Sequence, residues 1–423
     1  MLGSRRGENM AGDTRNVGLT SREVQDDPFP YYRERMSKCP VWHEEDINLY
    51  VIGGHEEARA ALGDLRTFSS KPAAGNRAVR PEVVLAYMGV LEEKGWVHTP
   101  ILQRVDPPEH ARARKILNRV FTPAQVRAYV PEIEEITNRL VDSMLRRGGC
   151  EFVKDFALPL PGRFIARHLG LDDDEYPRFR RWAEAMLSLA QRNDMTVEEA
   201  VGEANIEVEE QHFVVAEFEK RRRNPGGNDL ISLIVHAHGE DEEAFTTTEL
   251  ITLMHQLITG GFETTTGALS AAMLLLLRHP DQLQLLRDDR SLMPNFIEEV
   301  LRFDAPVQGL WRSVQCPVNV GGVDIPEKSA AMVRYGAANR DPRVFENPDV
   351  FDIRRPNAKN HISFGFGVHF CLGAALARQQ MSSAFNILLD KVSEFELARP
   401  LEFPVYDRSF FLRPMRELHL TVR

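Results

Sequence analysis

The chain has 423 residues, a formal net charge of −10 and an ordinary balance of 43% hydrophobic, 27% charged and 8% aromatic residues. A chain of this size buries enough apolar surface to enclose a bulky ligand, and its acidic balance argues against a general nucleic-acid binder. Four cysteines, Cys39, Cys150, Cys316 and Cys371, lie far apart with no Cys-x-x-Cys pair, which disfavours a disulfide framework or a zinc ribbon and fits a reducing compartment.

Residues 1–20 are polar and charged and are expected to be disordered; residues 21–423 are expected to form one domain. The start has no apolar signal-peptide core, and the most apolar run, 268–277, is too short for a span of about 20 residues. No membrane anchor is therefore expected, and a cytoplasmic monomer is.

Short strand signals come first, at Trp42 and at residues 49–52 before Gly53-Gly54, followed by a helix over 56–62. Helical periodicity then fills 110–120, 123–147, 174–192, 197–223 and 246–278. In the first of these, Asp106-Pro107-Pro108-Glu109-His110 opens the helix, and His110 and Arg114, four apart, share a face.

Thr246-Thr247-Thr248-Glu249 reads as a capping box opening a helix that Pro280 closes. Its centre, Thr259-Gly260-Gly261-Phe262-Glu263-Thr264-Thr265-Thr266, is poor helix, at a cost of about 1 kcal/mol per glycine. A polar weak point inside an apolar helix needs a reason. Gln256, Thr259 and Gly260 lie seven, four and three residues before Glu263 and so share its face.

A further helix, 296–303, carries Glu299 and Arg302 three apart. Residues 318–333 switch to strand, with Gly321-Gly322 as a hairpin turn. Then comes Phe364-Gly365-Phe366-Gly367-Val368-His369-Phe370-Cys371-Leu372-Gly373, which sets one cysteine between a glycine-rich loop and a helix over 374–394. Unpaired N–H groups at a helix start, with the dipole behind them, favour an anionic sulfur, and the thiolate is the metal-binding form. Gly365 and Gly367 permit a sharp turn, and Gly373 lets a flat ligand approach the backbone. Helices dominate with a minority of sheet: mainly α with a minor β region, an α+β class.

The Phe-x-x-Gly-x-x-x-Cys-x-Gly spacing resembles the haem-binding loop of the cytochrome P-450 family, and the likeness extends over nearly the whole chain from about Asp27. The resemblance implies that fold, with a long central helix over haem b and Cys371 as axial iron ligand. It implies propionate contacts from His110, Arg114, Arg312 and His369, with Phe364 packing beside the sulfur. Gly261-Phe262-Glu263-Thr264 resembles the oxygen-activation motif: Gly261 making room for dioxygen, Thr264 offering a hydroxyl and Glu263 delivering protons. Glu299-Val300-Leu301-Arg302 resembles the buried Glu-x-x-Arg brace, whose third partner is left open between Arg354 and Arg355.

By the same likeness Gln256, Thr259, Gly260, Val307, Gly309, Leu310, Phe411 and Leu412 line the substrate pocket, and residues 84–103 form a variable lid. Gln256 or Thr259 is expected to hydrogen-bond an oxygen function of the substrate. The implied activity is hydroxylation of a hydrophobic small molecule by dioxygen, with electrons from a separate ferredoxin or flavodoxin docking near Arg112, Lys115, Arg119 and Arg378. A peroxide-driven oxygenase of the same fold, or a haem sensor or carrier, fits the same cysteine loop.

Overall fold

The computed structural model describes residues 18–71, 80–192, 194–238, 243–401 and 405–423; the expectation for the N-terminus falls almost wholly outside them. The structure is built around the helix Thr247–Arg278, the central helix, whose 32 residues reach about 48 Å. Its start is the expected box: the Thr246 hydroxyl accepts from Glu249 N–H and the Glu249 carboxylate from Thr246 N–H. The poorly helical centre does not interrupt it: the helix runs unbroken through Gly260-Gly261. Thr259, Thr264 and Thr266 each donate their hydroxyl to the carbonyl four residues back, so these polar groups are satisfied within the helix.

The main core wraps this helix. Leu253, Ile258, Phe262 and Leu269 are at most 1% exposed. They pack with Ile133, Ile136, Phe164, Phe296 and Phe385 of neighbouring helices. Gly162 on the helix Pro159–His168 permits that closeness: a Cβ there would come within 2.8 Å of the Phe262 ring.

A five-stranded sheet stands to one side, in the order Val41–Glu44, Leu49–Ile52, Ala330–Val333, Leu310–Val314, Phe68–Ser69. Only the contact between Leu49–Ile52 and Ala330–Val333 is parallel. The hairpin Val318–Val320/Val323–Ile325 forms as expected, its turn residues Gly321 and Gly322 at φ +57° and +86°. The positive-φ pair is the turn geometry that two glycines permit. Three strands, Gly149–Glu151, His419–Val422 and Phe395–Leu397, tie the C-terminus to the helical side.

Candidate functional site: the Cys371 loop and its surroundings

The loop folds on its glycines. Gly365 and Gly367 take φ of +74° and +71°, a left-handed geometry that costs other residues strain. Gly365 N–H donates to Ile362 O at 2.8 Å and Cys371 N–H to Phe364 O at 2.8 Å, closing a tight turn that delivers Cys371 to the start of the helix Ala374–Lys391. Burial pushes the Cys371 thiol up, while the Gly373 and Ala374 N–H groups and the Arg114 and Arg378 charges pull it down. The helix start thus acts on the sulfur in the expected direction, but alone it does not offset burial. A coordinated metal ion would tip the balance toward the anion, since a metal-bound thiol is deprotonated outright.

Arg378 lies over the Phe364 ring, 4.4 Å from its centroid, and donates to Glu298 at 2.6 and 2.9 Å. His361 Nε2 completes that cluster 3.1 Å from Glu298 Oε2. Gly373 is left bare, with nothing within 4 Å of where a Cβ would stand.

Four basic side chains gather beside the loop. His110 and His369 meet with ring centroids 4.4 Å apart. Arg114 Nη1 donates to Phe370 O at 2.6 Å. Burial, joined by the charges of His110 and Arg312, pushes the His369 imidazole down to about 4. Arg312 Nε is buried without a hydrogen-bond partner, and His369 Nε2, also buried, has only a long 3.7 Å contact with Asp106 Oδ1. Such under-satisfied groups are costly. These under-satisfied nitrogens beside an open glycine face and a half-buried cysteine fit a flat, anionic group carrying a thiophilic metal.

On the central helix, Gly260 and Gly261 present bare backbone: a Cβ would stand 3.8 Å from Gln103 Nε2 at the first and 3.3 Å from Ile165 Cδ1 at the second. Thr264 Oγ1 donates to Gly260 O at 2.6 Å, holding its hydroxyl oxygen against the same stretch.

The brace is buried throughout. Arg302 Nε and Nη2 donate to Glu299 Oε2 and Oε1 at 2.7 and 2.8 Å, both side chains being 0% exposed. Arg302 Nη1 reaches Asn339 O at 3.0 Å. Asn339 in turn accepts from Ile362 N–H at 2.8 Å and donates to Ser363 Oγ at 2.7 Å, directly before Phe364. The brace therefore reaches the cysteine loop through one asparagine.

The model of the family described as Cytochrome P450 matches residues 92–400. The chain belongs to the cytochrome P450 family. It is 36% identical over 407 residues to the 6-deoxyerythronolide B hydroxylase of Saccharopolyspora erythraea, covering 96% of this chain and 98% of that one. It is 31% identical to the cytochrome P450 monooxygenase PikC of Streptomyces venezuelae, over 90% and 88% of the two chains. The solved structure of cytochrome P450 CYP109Q5 from Chondromyces apiculatus superposes with a TM-score of 0.82 at 29% identity, covering 96% and 98%. These relatives make the protein a P450 monooxygenase, and the family implies a haem-thiolate cofactor, dioxygen, a substrate and a redox partner. Among the described residues no helix is long and apolar enough to cross a membrane.

Within this P450 the residues expected to line the substrate pocket divide. Gln256 is 7% exposed, and its amide is engaged: Nε2 donates to Ile101 O at 3.0 Å and Oε1 accepts from Gln103 N–H at 3.5 Å. It pins the lid segment rather than standing open to a ligand. Thr259 donates to His255 O at 2.7 Å. Val307 and Leu412 face each other across an isolated bridge, and Gln308 N–H donates to Phe411 O at 2.6 Å, so these segments do meet. Phe411, however, packs against the cluster of Tyr31, Tyr32 and Trp42. Gly309 serves the sheet, since a Cβ there would lie 2.6 Å from Val333 O, and Leu310 pairs with Val333 while remaining 40% exposed.

The third partner left open between Arg354 and Arg355 is Arg355, whose Nε donates to Glu299 Oε1 at 3.1 Å. The Glu298–Arg378–His361 cluster behind Phe364 was unforeseen, although Glu298 stands next to the recognised Glu299 and so points to an adjacent helix face.

Proposed function

We propose that this P450 hydroxylates a hydrophobic small molecule, holding iron protoporphyrin IX through Cys371, with residues 21–423 acting as one monooxygenase domain in the cytoplasm. The observation that carries this reading is the convergence at one loop of a half-buried cysteine under two helix-start N–H groups, an uncovered Gly373, the unpartnered Arg312 Nε and the under-satisfied His369 Nε2. When bound, such a cofactor supplies dioxygen activation and one-electron chemistry, with thiolate donation favouring O–O cleavage.

The residues of the chain do the rest. Cys371 Sγ would be the axial ligand, and His110, Arg114, Arg312 and His369 would neutralise the two propionates. Phe364, held under the Arg378 guanidinium, would limit access of water to the sulfur. Gly261, with only the flexible tip of Ile165 near its Cα, would leave room for a diatomic ligand. The Thr264 hydroxyl, anchored by its own proton to Gly260 O, would present its oxygen as acceptor from a water, and Glu263 would pass protons inward from solvent. Two electrons and two protons then leave one oxygen atom in the product and the other in water.

Electrons would come from a separate ferredoxin or flavodoxin. Of the basic residues expected at its docking face, Arg112 is paired with Glu249 at 2.6 Å, Arg378 is paired with Glu298, and Arg119 Nη1 donates to Ala237 O at 2.8 Å. Charge reversal at Lys115 and Arg119 tests the docking face by the rate of haem reduction.

Carbon monoxide added to the purified ferrous protein should give the red-shifted Soret band of a thiolate-ligated haem. Cys371→Ala should abolish it; an unchanged band would overturn the assignment of the ligand. A compound panel scored for the low-spin to high-spin shift would then identify the substrate, and turnover with hydrogen peroxide alone would identify a peroxide-driven enzyme.

A further inference from the structure

Away from the cysteine loop, three side chains from three separate elements meet at the lid. His98 lies beyond the helix Pro81–Lys94, Glu207 is on the helix Val197–Arg223, and His255 is on the central helix, one turn before Thr259. Their ligating atoms all lie within 4.8 Å of one another. His98 Nε2 stands 2.5 Å and His255 Nδ1 3.4 Å from the same oxygen, Glu207 Oε1, and the two imidazole centroids are 4.3 Å apart.

The cluster is unusual as a purely structural one. Glu207 is 1% exposed, and the groups that bond it are a phenol, an amide and an imidazole: Tyr87 donates to Oε2, and Gln211 Nε2 lies 3.5 Å from Oε1. A buried carboxylate needs an opposing charge, and a divalent ion held between it and the two imidazoles would provide one. His98 Nδ1 is buried without a hydrogen bond, and His255 Nδ1 has only its 3.4 Å contact with Glu207.

We propose that His98, Glu207 and His255 form a second metal site, distinct from the haem site, for one divalent ion of the zinc class. Two imidazoles and one carboxylate with a fourth position open is a recurrent zinc donor set, whereas calcium and magnesium prefer all-oxygen shells. Metal–ligand bonds of about 2.0–2.1 Å set tetrahedral ligand atoms about 3.3 Å apart, close to the His255–Glu207 spacing. The shorter His98–Glu207 contact opens to that value as the shared proton is displaced. Tyr87 and Gln211 orient the carboxylate as outer partners.

Bound there, the ion staples the lid to two helices at a place where the lid backbone is already held by side chains. Gln211 and Trp96 exchange two bonds, at 2.8 and 3.0 Å, and Thr99 N–H reaches Thr252 Oγ1 at 3.1 Å. The site thus ties metal occupancy to the closed position of the segment that covers the distal side.

The test uses haem-loaded, full-length protein stripped with a chelator and dialysed against zinc chloride in a metal buffer. One zinc per chain is expected. His98→Ala and His255→Ala should each weaken binding at least as much as loss of an outer partner, and Tyr87→Phe by about 10-fold, within the 10–100-fold usual for outer partners. Zinc should also raise the Tm of the unmodified protein and slow amide exchange over residues 96–103, a result that does not depend on any variant folding. The proposal is overturned if the unmodified protein takes up no more zinc than the His98→Ala/His255→Ala double variant. Full-affinity binding by either single variant, or zinc uptake without slower exchange at 96–103, overturns it equally.

Discussion

Arg355 donates through Nε to Glu299 Oε1 at 3.1 Å, the same oxygen that accepts from Arg302 Nη2 at 2.8 Å. Asp352 N–H makes a third bond to it at 3.1 Å. One buried carboxylate therefore holds two guanidinium groups and a stretch of irregular backbone. The arginines use their remaining donors on carbonyls, and Val350 O accepts from both. This connected arrangement gives the segment before the cysteine loop a fixed shape without regular secondary structure.

Glu299→Ala would leave two buried guanidinium groups uncompensated, at a cost of about 3–5 kcal/mol. The variant should yield little folded, haem-loaded protein. Arg355→Ala should be milder, about 1–3 kcal/mol, because Arg302 and Asp352 still satisfy Glu299. Thermal melts and the haem-to-protein ratio check both the loss and its order; a fully loaded Glu299→Ala protein of unchanged Tm would refute the brace.

Glu298 gives the acid response. Burial pushes its carboxyl up, but Arg378 and His361 outweigh that and hold it at about 2, from an ordinary 4.5. A carboxyl depressed in the folded state stabilises above its unfolded value and loses that contribution as pH falls toward its folded value. The window is therefore from about pH 5 to 2, and the contribution about 3 kcal/mol. Glu298→Gln should melt lower at neutral pH and show a flatter fall in Tm through that window. Parallel acid curves for the two proteins would remove Glu298 from the account.

What the sequence made legible follows from the range of each signal. Caps and periodicity are local, so the Thr246 box, the start at Pro123 and the Gly321-Gly322 turn were readable. Helix Pro81–Lys94 was not, because Arg80 offers no capping side chain and Val83-Val84 argues against helix. Arg354 and Arg355 could not be separated, since an irregular segment has no period to orient either. The glycines and threonines of the central helix read as poor helix, but threonine hydroxyls can also bond back along a helix, as they do here. Gln256 was placed on the right face, yet its partners at 101 and 103 lie some 150 residues earlier, a contact no local pattern encodes.

That contact sets the expectation for Gln256→Leu. The change removes the two links to Ile101 and Gln103 and leaves the Ile101 carbonyl without its partner, costing about 1–3 kcal/mol locally. Amide exchange at residues 101–103 should quicken while the helix Ala374–Lys391 keeps its protection. If exchange in the lid is unchanged and only substrate affinity falls, Gln256 is a ligand contact, as its helix face first indicated.

Gly373 offers the sharpest separation of fold from cofactor. It begins the helix Ala374–Lys391 at φ −84°, a conformation any residue adopts, and no side chain of its own caps the helix. A Cβ there meets nothing within 4 Å, so the polypeptide alone sets no steric limit at this position. Replacing an N-cap glycine by valine costs about 1 kcal/mol at most through the cap. Any larger effect must come from what lies against the open face. Gly373→Ala and Gly373→Val should keep the helix content of the parent, yet load progressively less haem, the valine variant least. Should Gly373→Val bind haem as the parent does, the flat group does not rest on this glycine, and its cradle would have to be sought elsewhere along the cysteine loop.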